Sequence, residues 1–199
     1  KFLLTEKLLL KPGPSGWDLY GKLVAEAYED APSYDPSAVP SFEALEPFVN
    51  NMFKQIQSRV EVQFVDQDPY PSEKEMCQDA MQNGVLKIWK GGTKHPIFSR
   101  ELNIKLRAVH DYMTHCQRKT NFTLQGEVAS FNGHMKMVPE AGHDALFTEV
   151  VGQAAYFINH GYFPEQKIAI LEGFDKYDLG KVEGYDIINK ELVKNEVSI

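Results

Sequence analysis

Six histidines occur in this 199-residue chain, and all of them lie between positions 95 and 160. Imidazole is the commonest metal-binding side chain and the one that titrates nearest neutral pH. Which of the six can meet, and with which acids, is therefore the first question. The densest stretch is "AVHDYMTHC", residues 108–116. On an α-helix His110 and His115, five apart, point about 140° away from each other, so they do not face one centre. Asp111 and His115 are four apart and share a face. His110 is accordingly read as a metal ligand, and Asp111 and His115 as groups that move protons or orient a ligand. Further on, Glu127 and His134 are seven apart, two turns along one face with Phe131 between them, and both can reach a neighbouring helix. Glu149 sits in the apolar run "ALFTEVVGQAAYF", where a buried carboxylate must be paired, protonated or metal-bound. Gln153, one turn on, can support it.

The expected centre is thus His110, Glu127, His134 and Glu149, with Asp111 and His115 as catalytic groups and Gln153 behind Glu149. Mixed imidazole and carboxylate ligands inside a helical bundle suit Fe, Mn or Zn. The competing reading is a buried hydrogen-bond network that fixes how three helices pack. The remaining histidines have simpler explanations. His95 precedes Pro96 in a turn, and His143 with Asp144 opens a helix. His160 closes one, where a cation suits the helix dipole.

These residues need three helices to hold them, over about 100–117, 123–137 and 143–160. Gly161 is a stop for the third. Upstream, apolar residues at Trp17, Tyr20, Leu23, Val24 and Ala27 mark a helix inside a proline-rich arm. Ser41 can cap a helix over 42–58, which Pro47 should kink or restart. "RVEVQFVD" (59–66) alternates like a strand. Ser72 and Glu75 make a capping box for a short helix that Gly84 ends. "VLKIWKGG" (85–92) reads as a second strand. The fold class is α+β, mainly α: a helical bundle with a small two-stranded β unit. It divides into an extended arm (1–40), one mainly helical domain (41–172) and a polar C-terminal tail (173–199) that is peripheral or docks on a partner.

Bulk properties narrow the classes. Hydrophobic residues make up 43% of the chain and charged residues 25%, as in ordinary globular proteins. The net charge of −7, with no basic cluster longer than Arg118-Lys119, argues against nucleic acid as partner. No apolar run reaches the length of a membrane span. The opening "KFLLTEKLLLK" is too short and too charged for a leader peptide. Two cysteines are too few for a disulfide scaffold, so both read as reduced thiols in a cytosolic setting.

"RAVHDYMTH" followed by "GEVASFNGHMKMVPEAGHDALFTEVVGQAAYF" resembles a poorly characterised family encoded mainly by tailed bacteriophages. The shared pattern is a His-Asp-x-x-x-His helix, Gly-Glu with a His seven residues after the Glu, and a Thr-Glu-x-x-Gly-Gln helix. It falls here on His110, Asp111, His115, Gly126, Glu127, His134, Thr148, Glu149, Gly152 and Gln153, and the resemblance spans about residues 37–160. Val128 departs from it, since the family carries a second acid there. The resemblance implies a phage origin, a shared polar site, and residence in the host cytoplasm or the virion. Two functions compete. One is a metal-dependent enzyme, oxidative or hydrolytic, acting on a small-molecule substrate. The Glu127–His134 spacing is similar to that of helical di-iron oxygenases, and His110-Asp111 echoes the HD-domain phosphohydrolases, which would need His95 and Asp144 as further ligands. The other is a virion structural or assembly protein, a homo-oligomer or a component docking on other phage proteins.

Overall fold

The structure is a computed structural model and describes residues 12–92 and 94–196. The opening stretch judged unfit as a leader lies outside the described residues. Among the described residues no helix is long and apolar enough to cross a membrane. The architecture is mainly helical α+β.

Helix α1 (Pro14–Asp30) buries Tyr20, Val24 and Tyr28 completely, one residue per turn, against the last helix of the bundle. The segment expected to form a capped helix over 42–58 is instead two pieces, α2 (Val39–Glu43) and α3 (Leu45–Gln57). The restart leaves Pro47 in the first turn of α3, where its missing N–H has no helical partner to lose. Ser41 does not cap. It lies inside α2, where its Oγ accepts a hydrogen bond from the Ala145 amide at 3.0 Å and ties α2 to the site-bearing helices.

Strand β1 (Glu61–Val65), helix α4 (Glu73–Gln78) and strand β2 (Val85–Trp89) form a strand–helix–strand unit whose strands pair in parallel, from Glu61↔Val85 to Val65↔Trp89. Ser72 caps α4 through the Glu75 amide at 3.4 Å. Gly84 then turns the chain at φ 69°, a left-handed conformation that suits glycine. Leu86 and Ile88 of β2 face the core.

Three helical runs follow. Helix α5 (Arg100–His110), capped by Ser99, continues as a π-turn over Asp111–Cys116. Helix α6 (Leu124–Met135) is capped by Thr123. Helix α7 (His143–Phe147) passes through a second π-turn, Thr148–Gly152, into α8 (Gln153–His160), which ends on Gly161 at φ 80°. Phe131 of α6 and Phe147 of α7 meet edge to face, 5.4 Å between centroids, at the centre of the bundle.

The segment read as a polar tail is built into the same core. Leu179, Val182 and Leu192 are buried. Strands β3 (Tyr185–Ile188) and β4 (Glu191–Lys194) form an antiparallel hairpin over α1, so the described residues hold two small sheets where one was expected. Its two-residue loop, Asn189-Lys190, takes positive φ at both positions, the twist that matches a tight hairpin. The Lys190 carbonyl accepts from the Gly13 amide at 2.5 Å, closing the hairpin onto the start of α1.

Candidate metal centre

The π-turn changes which side chains α5 can bring together. Its i→i+5 bonding, seen in the 3.0 Å contact from the Gln117 amide to the Tyr112 carbonyl, widens one turn by a residue. Residues five apart then come round to one face. His110 and His115, which α-helical spacing sets about 140° apart, instead place their Nε2 atoms 3.0 Å from each other. Glu127 approaches from α6. Its Oε2 lies 2.9 Å from His110 Nε2 and its Oε1 lies 3.1 Å from His115 Nε2. These three residues form a group that could hold a metal ion.

The outward nitrogens are anchored. His115 Nδ1 lies 2.8 Å from the Thr120 carbonyl and so donates its proton there, leaving Nε2 to face the centre. Thr120 is held in turn through its hydroxyl, 2.8 Å from Ser130 Oγ, which donates to the Gly126 carbonyl at 2.9 Å. His110 Nδ1 is 3.3 Å from His134 Nε2. His134, expected as a ligand, therefore stands behind His110 as its orienting partner, buried edge-on against Phe48. His115, expected as a proton-transfer group, is a full member of the converging set.

Charge follows from this packing. Burial alone would raise the Glu127 carboxyl, but the field of His110 and hydrogen bonds from both imidazoles outweigh it and hold the pKa down at about 2. Burial would push His110 down, but Glu127 beside it lifts it above the ordinary histidine value. His134 is driven well below that value by burial, then by repulsion from His110 and Arg118, so it is neutral. Asp111 is raised, chiefly by burial, and it senses His110, His115, Glu127 and Arg107. It is thus a weakened acid that feels the charges of the group.

Glu149 does not join them. It sits in the second π-turn, and its Oε1 pairs with His95 Nε2 at 2.8 Å. His95, which looked like a turn residue, is buried and stacked on Phe98 at 4.1 Å. Its Nδ1 accepts from the Phe98 and Ile97 amides at 2.9 and 3.2 Å. The ring must therefore carry its proton on Nε2 and donate it to Glu149. Gln153 donates to the other Glu149 oxygen at 2.9 Å, so it serves this pair and not the metal group. The single four-residue centre expected from sequence resolves into two. His143 and Asp144 bond to the Val138 carbonyl and to Lys176, and His160 faces Glu29.

Sequence reasoning missed His95, because its partner is 54 residues away, and missed the Thr120–Ser130 anchor, which has no periodic signature. Fold and site together define a mainly helical α+β protein with a buried His–His–Glu group able to hold a metal ion. No family model, curated protein or solved structure matches the chain.

Proposed function

We propose that this chain is a phage-encoded, metal-dependent enzyme whose centre is a single divalent transition ion held by His110, His115 and Glu127. The carrying observation is that two anchored imidazoles converge with their Nε2 atoms 3.0 Å apart, and one carboxylate sets an oxygen against each, Oε2 at 2.9 Å from His110 and Oε1 at 3.1 Å from His115. The group supplies the two-histidine, one-carboxylate arrangement that leaves positions open, a set that suits Fe(II), Mn(II) or Zn(II). Such an ion supplies Lewis acidity or redox chemistry for oxidation or hydrolysis of a small molecule. His134 and the Thr120 carbonyl keep the imidazoles aimed. Asp111, held less acidic than usual, can take or return a proton.

The test is reconstitution of stripped protein with Fe(II) under anaerobic conditions, and separately with Mn(II) and Zn(II), followed by elemental analysis. One equivalent per chain is expected, falling below a tenth of that in Glu127→Gln. A second reading, a virion or assembly protein whose His/Glu cluster is a structural hydrogen-bond network, is favoured by one observation: with no ion, an imidazole nitrogen already stands within 3.1 Å of each Glu127 oxygen. Failure of all three ions to bind would overturn the metal reading and leave the cluster as a structural network.

A further inference from the structure

A cavity of about 210 Å³ opens between the end of helix α1, helix α8 and the segment that follows α8. Tyr28 and Glu29 of α1, Tyr156 of α8, and Pro164, Glu165 and Lys167 line it. None of these residues belongs to either histidine–glutamate group. Drug-sized ligands fill clefts of about 300–1,000 Å³, so this space suits a small head group.

What the walls can still offer decides the chemistry. Their side-chain donors are all committed. An ammonium has three N–H groups, and Lys167 Nζ gives them to the carbonyls of Tyr28, Glu29 and Ala31 at 2.9, 2.9 and 2.7 Å. Tyr28 Oη donates to the Glu165 carbonyl at 2.8 Å and accepts from the Lys167 amide at 3.2 Å. Tyr156 Oη donates to Tyr162 Oη at 3.5 Å. An anion would find no side-chain hydrogen to take. What remains is electron-rich: the exposed Glu29 and Glu165 carboxylates, and the rings of Tyr28 and Tyr156, 5.9 Å apart between centroids. Glu29 has only His160 Nε2 near it, at 3.9 Å. The inner wall already holds a cation on these terms, since buried Lys167 Nζ lies over the Tyr28 ring at 5.6 Å. We propose that the cavity binds a primary alkylammonium ion, its N–H groups donating to the exposed carboxylates and its charge lying against the tyrosine rings. This site is independent of the metal reading.

The experiment titrates the isotope-labelled full chain with butylammonium chloride and follows the amides of Glu29, Tyr156, Glu165 and Lys167 by NMR. Ionic strength is held constant, because salt screens exposed carboxylates. Saturable shifts at these amides are expected, with a Kd of about 1–10 mM. Butanol, the same chain without charge, and butyrate, with the opposite charge, should each bind at least about tenfold more weakly. A Glu29→Gln, Glu165→Gln double variant alters only exposed side chains. Tyr156→Leu removes the ring but keeps apolar bulk. Each should weaken butylammonium by about fivefold or more. Butanol or butyrate binding as tightly as butylammonium overturns the charge assignment. Shifts that do not saturate, or that survive unchanged in both variants, overturn the site. Nα-acetyl-lysine methylamide, run alongside, separates two sources of the same head group: tighter binding than butylammonium means a lysine side chain, and weaker binding means a free amine.

Discussion

Two buried carboxylates, Glu127 and Glu149, each sit against an imidazole at 2.8 to 2.9 Å, yet the two pairs have opposite capacities. At Glu149 every polar atom is committed. His95 uses Nδ1 to collect two backbone amides and Nε2 to reach the acid, and Gln153 takes the other oxygen. At Glu127 two imidazoles turn their second nitrogens away, to a carbonyl and to His134, and bring both Nε2 atoms to one point. Having a histidine beside a glutamate decides little. What distinguishes a binding site from a clamp is whether the hydrogen bonds behind the imidazoles leave inward lone pairs, and how many converge.

Removing the carboxylates one at a time should break this comparison most sharply. Glu127→Gln keeps size and hydrogen bonding but loses the charge between the two histidines. Its affinity for Fe(II) or Mn(II) should fall by at least about a hundredfold in a competition titration. Glu149→Gln should leave affinity within about twofold. The more severe Glu149→Ala strands the buried His95 Nε2–H and leaves the Gln153 amide only its 3.3 Å bond to Gln166 Oε1, at a cost of about 2–4 kcal/mol. For a chain this long that is a drop in melting temperature of roughly 5–12 °C, read by calorimetry. If Glu149→Ala also released the metal, the two clusters would be one functional unit and the distinction would be lost.

The contrast also marks what the sequence could reveal. The short helix after residue 72 was legible because its cap is local, Ser72 accepting from the amide three residues on, whereas Ser41, read as a cap, is none, and the longer helices were read from periodicity alone. The two strands were legible from alternation and the glycine stop; their parallel pairing came with the structure. The identity of the converging residues was not, because it depends on one extra residue in one helical turn. With α-helical geometry His115 is dismissed from the side of His110; the π-turn over Asp111–Cys116 restores it. Periodicity carries no trace of that insertion, which tertiary packing imposes. The hairpin over 185–194 was hidden for a different reason. Its loop is Asn-Lys, without the glycine that usually announces a two-residue turn. Glu149 was expected in the centre because its surroundings are apolar, which predicts burial but not partner.

The anchors give smaller effects that sharpen the same point. His134→Gln replaces the acceptor behind His110 with a more flexible one and should weaken metal binding by about tenfold to a hundredfold. Ser130→Ala acts one bond further out, loosening Thr120 behind His115. It should cost about threefold to tenfold and less than about 1.5 kcal/mol of stability. If Ser130→Ala weakened binding more than His134→Gln did, His115 rather than His110 would be the better-supported ligand.

The smallest effect is a pH dependence whose sign differs between metal-free and metal-loaded protein. Glu127 is depressed from 4.5 to about 2 on folding, so the stability it contributes is present above about 4.5 and lost as pH falls toward 2. His110 is raised above 6.5, so its contribution is full below 6.5 and is lost as pH rises through its raised value. His134 is lowered, so it works against stability below 6.5, where the unfolded chain takes up a proton that the folded one refuses. Without metal, the His110–Glu127 pair stabilises most between the two limits, and the protein should soften modestly from pH 7 to 9. With metal bound, the His110 proton is displaced and that alkaline loss should vanish. Lowering the pH from 8 to 6 should instead weaken binding, as protons compete for Nε2. Melting curves across pH 5–9, with and without one equivalent of Mn(II), read both slopes. Parallel curves would mean that the ion does not replace the proton between His110 and Glu127, whatever else it binds.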